Sequence, residues 1–349
     1  MRNILIGLAT TLLLSGCSWL ITSPSRVENP IVEGVNYVGM TVRDLDRSEK
    51  LYSDAADVQV VQNGVIENHP LINELTQRAD TSIKTRLMKS VNAQVLFMEF
   101  AQPSEAAKNT VPIKANGPGL AHLAFQVVDR TETYQQFLAG GAKHIGAKEM
   151  WKNPKTHVSY AYAFDLDDAI VEVEHVDVAA LDLPKPPAND RRIRHISLAT
   201  LDMPRLIDFY SILLETKDPR RWGRFFHNSG ESLDKVSGLP DSETEMAWFQ
   251  VRNLELEIIQ YFNPEAKALN KPRPIDATGF NMIMFDVTNL TAAKAKFLEA
   301  GGTLVKEGQT FTDGETFFGR DPDGNLLGFQ ALPAASPFSA KNFKNNGMG

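Results

Sequence analysis

The sequence predicts an α+β fold made of four copies of one unit, in which a strand leads into a helix and then into further strands. Three observations carry this. First, Tyr37 and Tyr52 recur as His195 and Tyr210, both displaced by 158 residues. Second, the stretch GLAHLAFQVVD (119–129) recurs as GFNMIMFDVTN (279–289), with His122 and Met282 displaced by 160. Third, proline-rich joints at 103–118, 184–187 and 264–274 punctuate the chain between these stretches, and 349 residues exceed what one hydrophobic core commonly serves.

From the N-terminus, Arg2 is followed by an apolar run from Ile4 to Leu14, too short to span a membrane, and then by Leu14-Ser15-Gly16-Cys17. This resembles the bacterial lipobox. The resemblance implies a signal peptide over 1–16, acylation of Cys17 and a lipid anchor in the cell envelope. Ser18, rather than Asp, after the cysteine implies the outer membrane, facing the periplasm. Residues 17–31 are polar with Pro24 and Pro30 and read as a tether.

The first unit, about 33–103, opens with the alternating strand YVGMTVRD (37–44), and Asp44 is placed to begin a helix. The second, about 118–178, opens with the strand holding His122, followed by a helix over Glu132 to Leu138 and a glycine stop at Gly140 and Gly141. It closes with DLDDAIVE (165–172). The third, about 191–263, repeats the first, with HISLATLD (195–202) as its strand and Asp202 as its helix start. The fourth, about 277–333, repeats the second, with a helix over Ala292 to Leu298, a stop at Gly301 and Gly302, and a turn at DPDG (321–324). The units group along the chain as 32–180 and 191–333, joined by a linker at 181–190. Residues 334–349 read as a loose tail.

Composition narrows the function classes. The formal charge of −7 is mild and dispersed, which argues against nucleic acid as a partner. Cys17 is the one cysteine, so disulfides, thiolate metal sites and cysteine nucleophiles are excluded from the fold.

HLAFQVVD, HISLATLD, SGLPDSETEMAWFQVRNLELEIIQY and DPDGNLLGF resemble strand motifs of the vicinal oxygen chelate superfamily, which includes glyoxalase I, extradiol dioxygenases and bleomycin-resistance proteins. The likeness runs over nearly all of 33–333. It implies βαβββ modules that pair into cupped mixed sheets, with metal ligands on the first and last strand of each module. Carried over residue by residue, the modules offer Tyr37 and Glu99, His122 and Glu172, His195 and Glu257, and Met282 and Gly328. The 158-residue offset sets Glu99 on Glu257 and prefers Glu257 to its neighbour Glu255. Alternation agrees: His122, Ala124 and Gln126 share one face of their strand, and Glu255 and Glu257 oppose Leu254, Leu256 and Ile258.

Two pairings are open. Sequential pairing gives one cup with Tyr37, Glu99, His122 and Glu172, and a second with His195, Glu257, Met282 and Gly328. Pairing of the middle modules collects His122, Glu172, His195 and Glu257 in one cup. Energetics favours the latter, since two converging buried carboxylates need a cation to compensate them. That set suits a divalent Ni, Zn, Fe or Co. Tyr37 then fills its cup or donates a hydrogen bond, and His157 and His175 are surface residues. Arg220, Arg221 and Arg224 either grip an anionic substrate or form a solvated face. The resemblance implies a metal-dependent glyoxalase-like lyase or isomerase, or a dioxygenase, acting on a small substrate with adjacent oxygens, with Glu172 or Glu257 as the general base. The alternative is a metal-free protein that binds small molecules, as in the bleomycin-resistance branch.

Overall fold

A computed structural model describes residues 27–128, 132–152, 158–176 and 190–343. The expected signal peptide, Cys17 and His157 lie outside the described residues, as do nearly all of the expected linker and the last six residues. No described helix is long and apolar enough to cross a membrane.

All four units are βαβββ modules. In module one the lead strand Val32–Thr41 runs into the helix Leu45–Ala56, and Gln59–Glu67, Ser82–Lys89 and Gln94–Phe100 follow. Module two has the lead strand Gly119–Val128, the helix Thr133–Ala139 and the long strands Val158–Phe164 and Ile170–Val176, with the short strands Lys143–His144 and Trp151–Lys152 before them. Module three has Arg192–Thr200, the helix Met203–Leu213, and then Arg220–Trp222, Glu243–Gln250 and Glu255–Asn263. Module four has Gly279–Val287, the helix Leu290–Glu299, and then Thr303–Phe311, Gly314–Arg320 and Leu326–Gln330. The helix starts follow the sequence: Asp44 accepts the Arg47 N–H and Asp202 the Arg205 N–H, each satisfying a donor the first helical turn leaves free. Gly141 and Gly301, at φ of 105° and 96°, end the helices of modules two and four in conformations that other residues resist.

The sheets join modules that are not neighbours in each half of the chain. An eight-stranded sheet combines modules one and four, and a ten-stranded sheet combines modules two and three. In both, two lead strands pair antiparallel at the centre, and each lead strand runs parallel to its own module's last strand. The middle pairing is the one the chain adopts. Each half, 32–180 and 191–333, contributes one module to each sheet. The helices pair the other way. Tyr52 stacks edge-on against Phe137, 5.6 Å between ring centres, and Phe209 against Phe297 at 5.9 Å. The Tyr52 hydroxyl donates to Asp165 at 2.9 Å, and the Tyr210 hydroxyl to Asp321 at 3.1 Å. Sheets therefore tie one to four and two to three, while helices tie one to two and three to four. One continuous apolar core holds residues of both sheets and all four module helices.

The loose tail is corrected for residues 334–343. Ser339 donates to Asp286 at 2.7 Å, and the Ala340 N–H donates to Asn36 at 2.9 Å. Phe338 packs edge-on against Tyr37 at 5.8 Å, and Phe338 and Phe343 are both buried. Two aromatic anchors inside a polar stretch dock it, which its average composition hides.

Candidate metal centre

In the ten-stranded sheet, register builds the site in two rows. His122 lies opposite Ser197 on the neighbouring lead strand, and Ser197 lies opposite Glu257 on the strand beyond. Two residues along, His195 lies opposite Ala124, and Ala124 opposite Glu172. Each row is thus histidine, small residue, glutamate, and the rows run in opposite directions. The small middle residues leave room for the long side chains to lean inward. A β-bulge between Ile193 and His195 changes the face of the strand, so Ile193 enters the core and His195 the cup. The same bulge lies between Val35 and Tyr37, preserved at the 158-residue offset.

The four side chains converge. His122 Nε2 stands 3.0 Å from Glu172 Oε2, 3.1 Å from Glu257 Oε2 and 3.1 Å from His195 Nε2. His195 Nε2 stands 3.2 Å from Glu172 Oε2 and 3.5 Å from Glu257 Oε2. All four residues are buried. Glu257 Oε2, despite its two close nitrogens, has no well-directed hydrogen bond. His195 Nε2 has hydrogen-bond geometry to His122 Nε2 and to Glu172 Oε2, and all four side chains converge on one region. Donors about 2.0–2.2 Å from one cation stand roughly 3.0–3.5 Å apart, so the separations match the edges of a coordination shell of two imidazoles and two carboxylates. Three of the four, His122, Glu172 and His195, also place one donor atom each within 4.8 Å of the others.

The electrostatics report the same crowding. Burial pulls the His122 imidazole down, but Glu172 and Glu257 outweigh it and push His122 up to about 9. Burial would raise Glu172 and Glu257, yet the two histidines hold both carboxyls well below the usual range. The next layer is neutralised separately. Arg194 pairs with Glu174 and, at 3.2 Å, with Glu255. Arg220 bonds Glu255 at 3.3 Å and stacks over Trp248 at 4.1 Å. Glu255 is thereby committed to arginines.

Other sequence-predicted positions come out differently. Tyr37 lies in the other sheet from His122, so the set Tyr37, Glu99, His122 and Glu172 is not brought together. Glu99 is misplaced by the 158-residue offset. Ser197 pairs with Glu257, whereas its counterpart Gly39 pairs with Leu96, so the last strand of module one is out of step by three residues. Leu96 faces the cup, and Glu99 accepts the Leu45 N–H at 2.9 Å at a helix start. Arg220 and Arg221 are not a free anion grip: Arg220 serves Glu255, and Arg221 pairs with Glu245. Arg224 is exposed on the outer loop. His175 is half-buried on the face opposite Glu172 and Glu174.

The cup of modules one and four is filled with apolar side chains. A Cβ on Gly39 would meet Met282 Cγ at 2.5 Å, and one on Gly328 would meet Met284 Cε at 2.6 Å. Two methionines therefore lie over two glycines where the other cup has ligands, small spacers and Glu172, and Tyr37 completes the filling. Sequence reasoning missed the cover on the polar cup. The helix Glu231–Ser237 and the segment at Gly146 press together so closely that a Cβ on Gly146 would lie 1.7 Å from the Lys235 carbonyl oxygen. Gly146 and Gly238 were the available signals, since both mark close backbone approach.

Residues 36–164 and 192–329 each match a family model described as the Glyoxalase/Bleomycin resistance protein/Dioxygenase superfamily. The chain belongs to this superfamily, the vicinal oxygen chelate proteins. No curated protein matches it by sequence. Among solved structures it is similar to glyoxalase I from Zea mays, at 15% identity and a TM-score of 0.56, over 85% of this chain and 92% of that one. A point variant of the same maize enzyme gives 15% identity and 0.58, over 85% and 92%. A candidate dioxygenase from Bacillus subtilis gives 8% identity and 0.56, over 88% and 87%. At these identities the likeness establishes the fold.

Proposed function

We propose that this protein is a divalent-metal-dependent enzyme acting on a small substrate with adjacent oxygens, by lyase, isomerase or dioxygenase chemistry. The convergence of His122, Glu172, His195 and Glu257 to within 3.0–3.5 Å of one another around His122 and His195 is the observation that carries it. Similarity in fold to maize glyoxalase I and to the Bacillus protein supports the reaction classes. A divalent cation held by these residues would supply Lewis acidity. The chain supplies the rest. The two histidines, fixed on adjacent strands, hold the donor set in place, and Val236 of the helix Glu231–Ser237 packs with Tyr162 and Tyr261 beside the buried set. Glu172 or Glu257, the two carboxylates that converge on the histidines, is the general base that takes and returns the substrate's proton. The ring of Tyr162, 4.8 Å from that of His122, forms one wall.

The protein is further proposed to be anchored in the outer membrane through acylated Cys17, facing the periplasm. The lipobox-like run before Cys17 supports this. The test of the enzymatic reading is metal content after supplying Ni, Zn, Co and, without oxygen, Fe(II). Stoichiometric metal is expected. A chain that binds none, with its fold intact, overturns the reading and leaves small-molecule binding as the function of the cup.

A further inference from the structure

The loop between the short strands Arg220–Trp222 and Asn228–Ser229 contributes none of the four converging side chains of the cup. With Trp222, the last residue of the strand before it, it presents three exposed aromatic rings. Phe226 and Phe225 are the most exposed large apolar side chains among the described residues, at 91% and 80%, and Trp222 is 58% exposed. Burying such rings would stabilise the fold, so their exposure asks for a partner. The loop is shaped, not frayed. Gly223, at φ of 83°, turns it where a Cβ would lie 2.5 Å from the Thr244 carbonyl oxygen. Behind it His227 lies flat on Phe262, 3.9 Å between ring centres. Arg224 sits 5.4 Å from the Phe225 ring and makes no ion pair among the described residues.

We infer that this loop is a membrane-insertion tip, with Trp222, Phe225 and Phe226 entering the headgroup region of an anionic phospholipid bilayer and Arg224 meeting its phosphates. The chemistry fits: aromatic rings with an adjacent guanidinium suit the bilayer interface, where apolar bodies are buried and cations meet anionic lipid. The placement fits as well. The Val27 and Ile31 N–H groups both donate to Glu215, at 3.4 and 2.8 Å to its carbonyl and carboxylate oxygens. The N-terminal segment therefore leaves the fold at Glu215, five residues before the strand that leads into the tip. Ten residues from Cys17 to Val27 reach at most about 35 Å. This part of the argument rests on the lipid-anchor reading, in which anchor and tip meet one bilayer. Exposed rings beside a cation that no described acid pairs with suit an anionic lipid surface.

The described fold begins at Val27, so a chain lacking residues 1–26 keeps all of it and removes the acyl anchor from the test. That chain should sediment with vesicles of phosphatidylglycerol and phosphatidylethanolamine. Phe225→Ser with Phe226→Ser should weaken binding at least about tenfold, since each ring buries enough apolar area to matter. Arg224→Gln should weaken it and flatten its dependence on salt. Brominated lipid should quench tryptophan emission, and Trp222→Phe should abolish the quenching. Absence of vesicle binding, or binding unchanged in the double variant, overturns the inference. So does a dimer, seen by sedimentation velocity, that the double variant dissolves while vesicles bind neither form. The mass of Cys17 in full-length protein from bacterial envelopes reports acylation separately. An unacylated Cys17 with vesicle binding intact sinks the anchor and leaves the tip supported.

Discussion

Raising the pH of chelator-treated protein should destabilise it through His122. Its imidazole is fully buried and sits 3.0 and 3.1 Å from two carboxylate oxygens, so in the absence of metal the folded state holds a proton there. The folded value of about 9 lies above the ordinary 6.5. A raised folded pKa contributes stability that is complete below about 6.5 and is lost as pH rises through about 9. The separation corresponds to about 3 kcal/mol. Urea unfolding at pH 6 and pH 9.5, with chelator present, should therefore show a fall of that order in the wild type. It should be largely absent in His122→Gln, which cannot carry the proton. Divalent metal should cancel the trend, because it competes with this proton, and its apparent affinity should rise up to about tenfold per pH unit as the pH approaches about 9. An equal fall in His122→Gln would refute the reasoning, since the titration would then belong to other groups.

Tyr52→Phe and Tyr210→Phe should each cost about 1–2 kcal/mol in urea unfolding, because each leaves a buried aspartate, Asp165 or Asp321, without its hydroxyl donor. A large difference between the two would break the equivalence of the module pairs. Gly328→Ala should cost about 1–3 kcal/mol by pushing Met284, and the same change combined with Met284→Ala should recover part of it. Ending the chain at residue 333 should lower stability by about 3 kcal/mol or more, since Phe338 and Phe343 are buried by the segment that is removed. A truncated chain with unchanged unfolding would show the docked tail to be incidental.

Much of this was legible in the residues. Alternation put His122 and Ala124 on one face and Leu123 and Phe125 on the other, and the sheet obeys it. Asp44 and Asp202 announced their helices because a capping side chain is a local device. The choice of pairing rested on a physical argument, that two buried carboxylates need their counter-charges in one place. What failed did so for non-local reasons. Glu99 was assigned by an offset that holds for lead strands and helices but slips by three residues at the last strand, where the connecting segments differ in length. Arg220 and Arg221 looked like a basic cluster because their partners, Glu255 and Glu245, lie on other strands. The tail looked loose because two phenylalanines do not register in a polar average. Filling of the second cup was half visible: Met282 and Gly328 stood where ligands were expected, but only the backbone shows that Met282 and Met284 need Gly39 and Gly328 beneath them.

The most direct measurement is metal stoichiometry in four proteins: wild type, His122→Ala, His195→Ala and Glu99→Ala. One cup that draws its ligands from modules two and three predicts one metal per chain in the wild type and in Glu99→Ala, and loss of metal in both histidine variants. Metal retained by His195→Ala, or lost from Glu99→Ala with the fold intact, would contradict a single centre built from the middle modules.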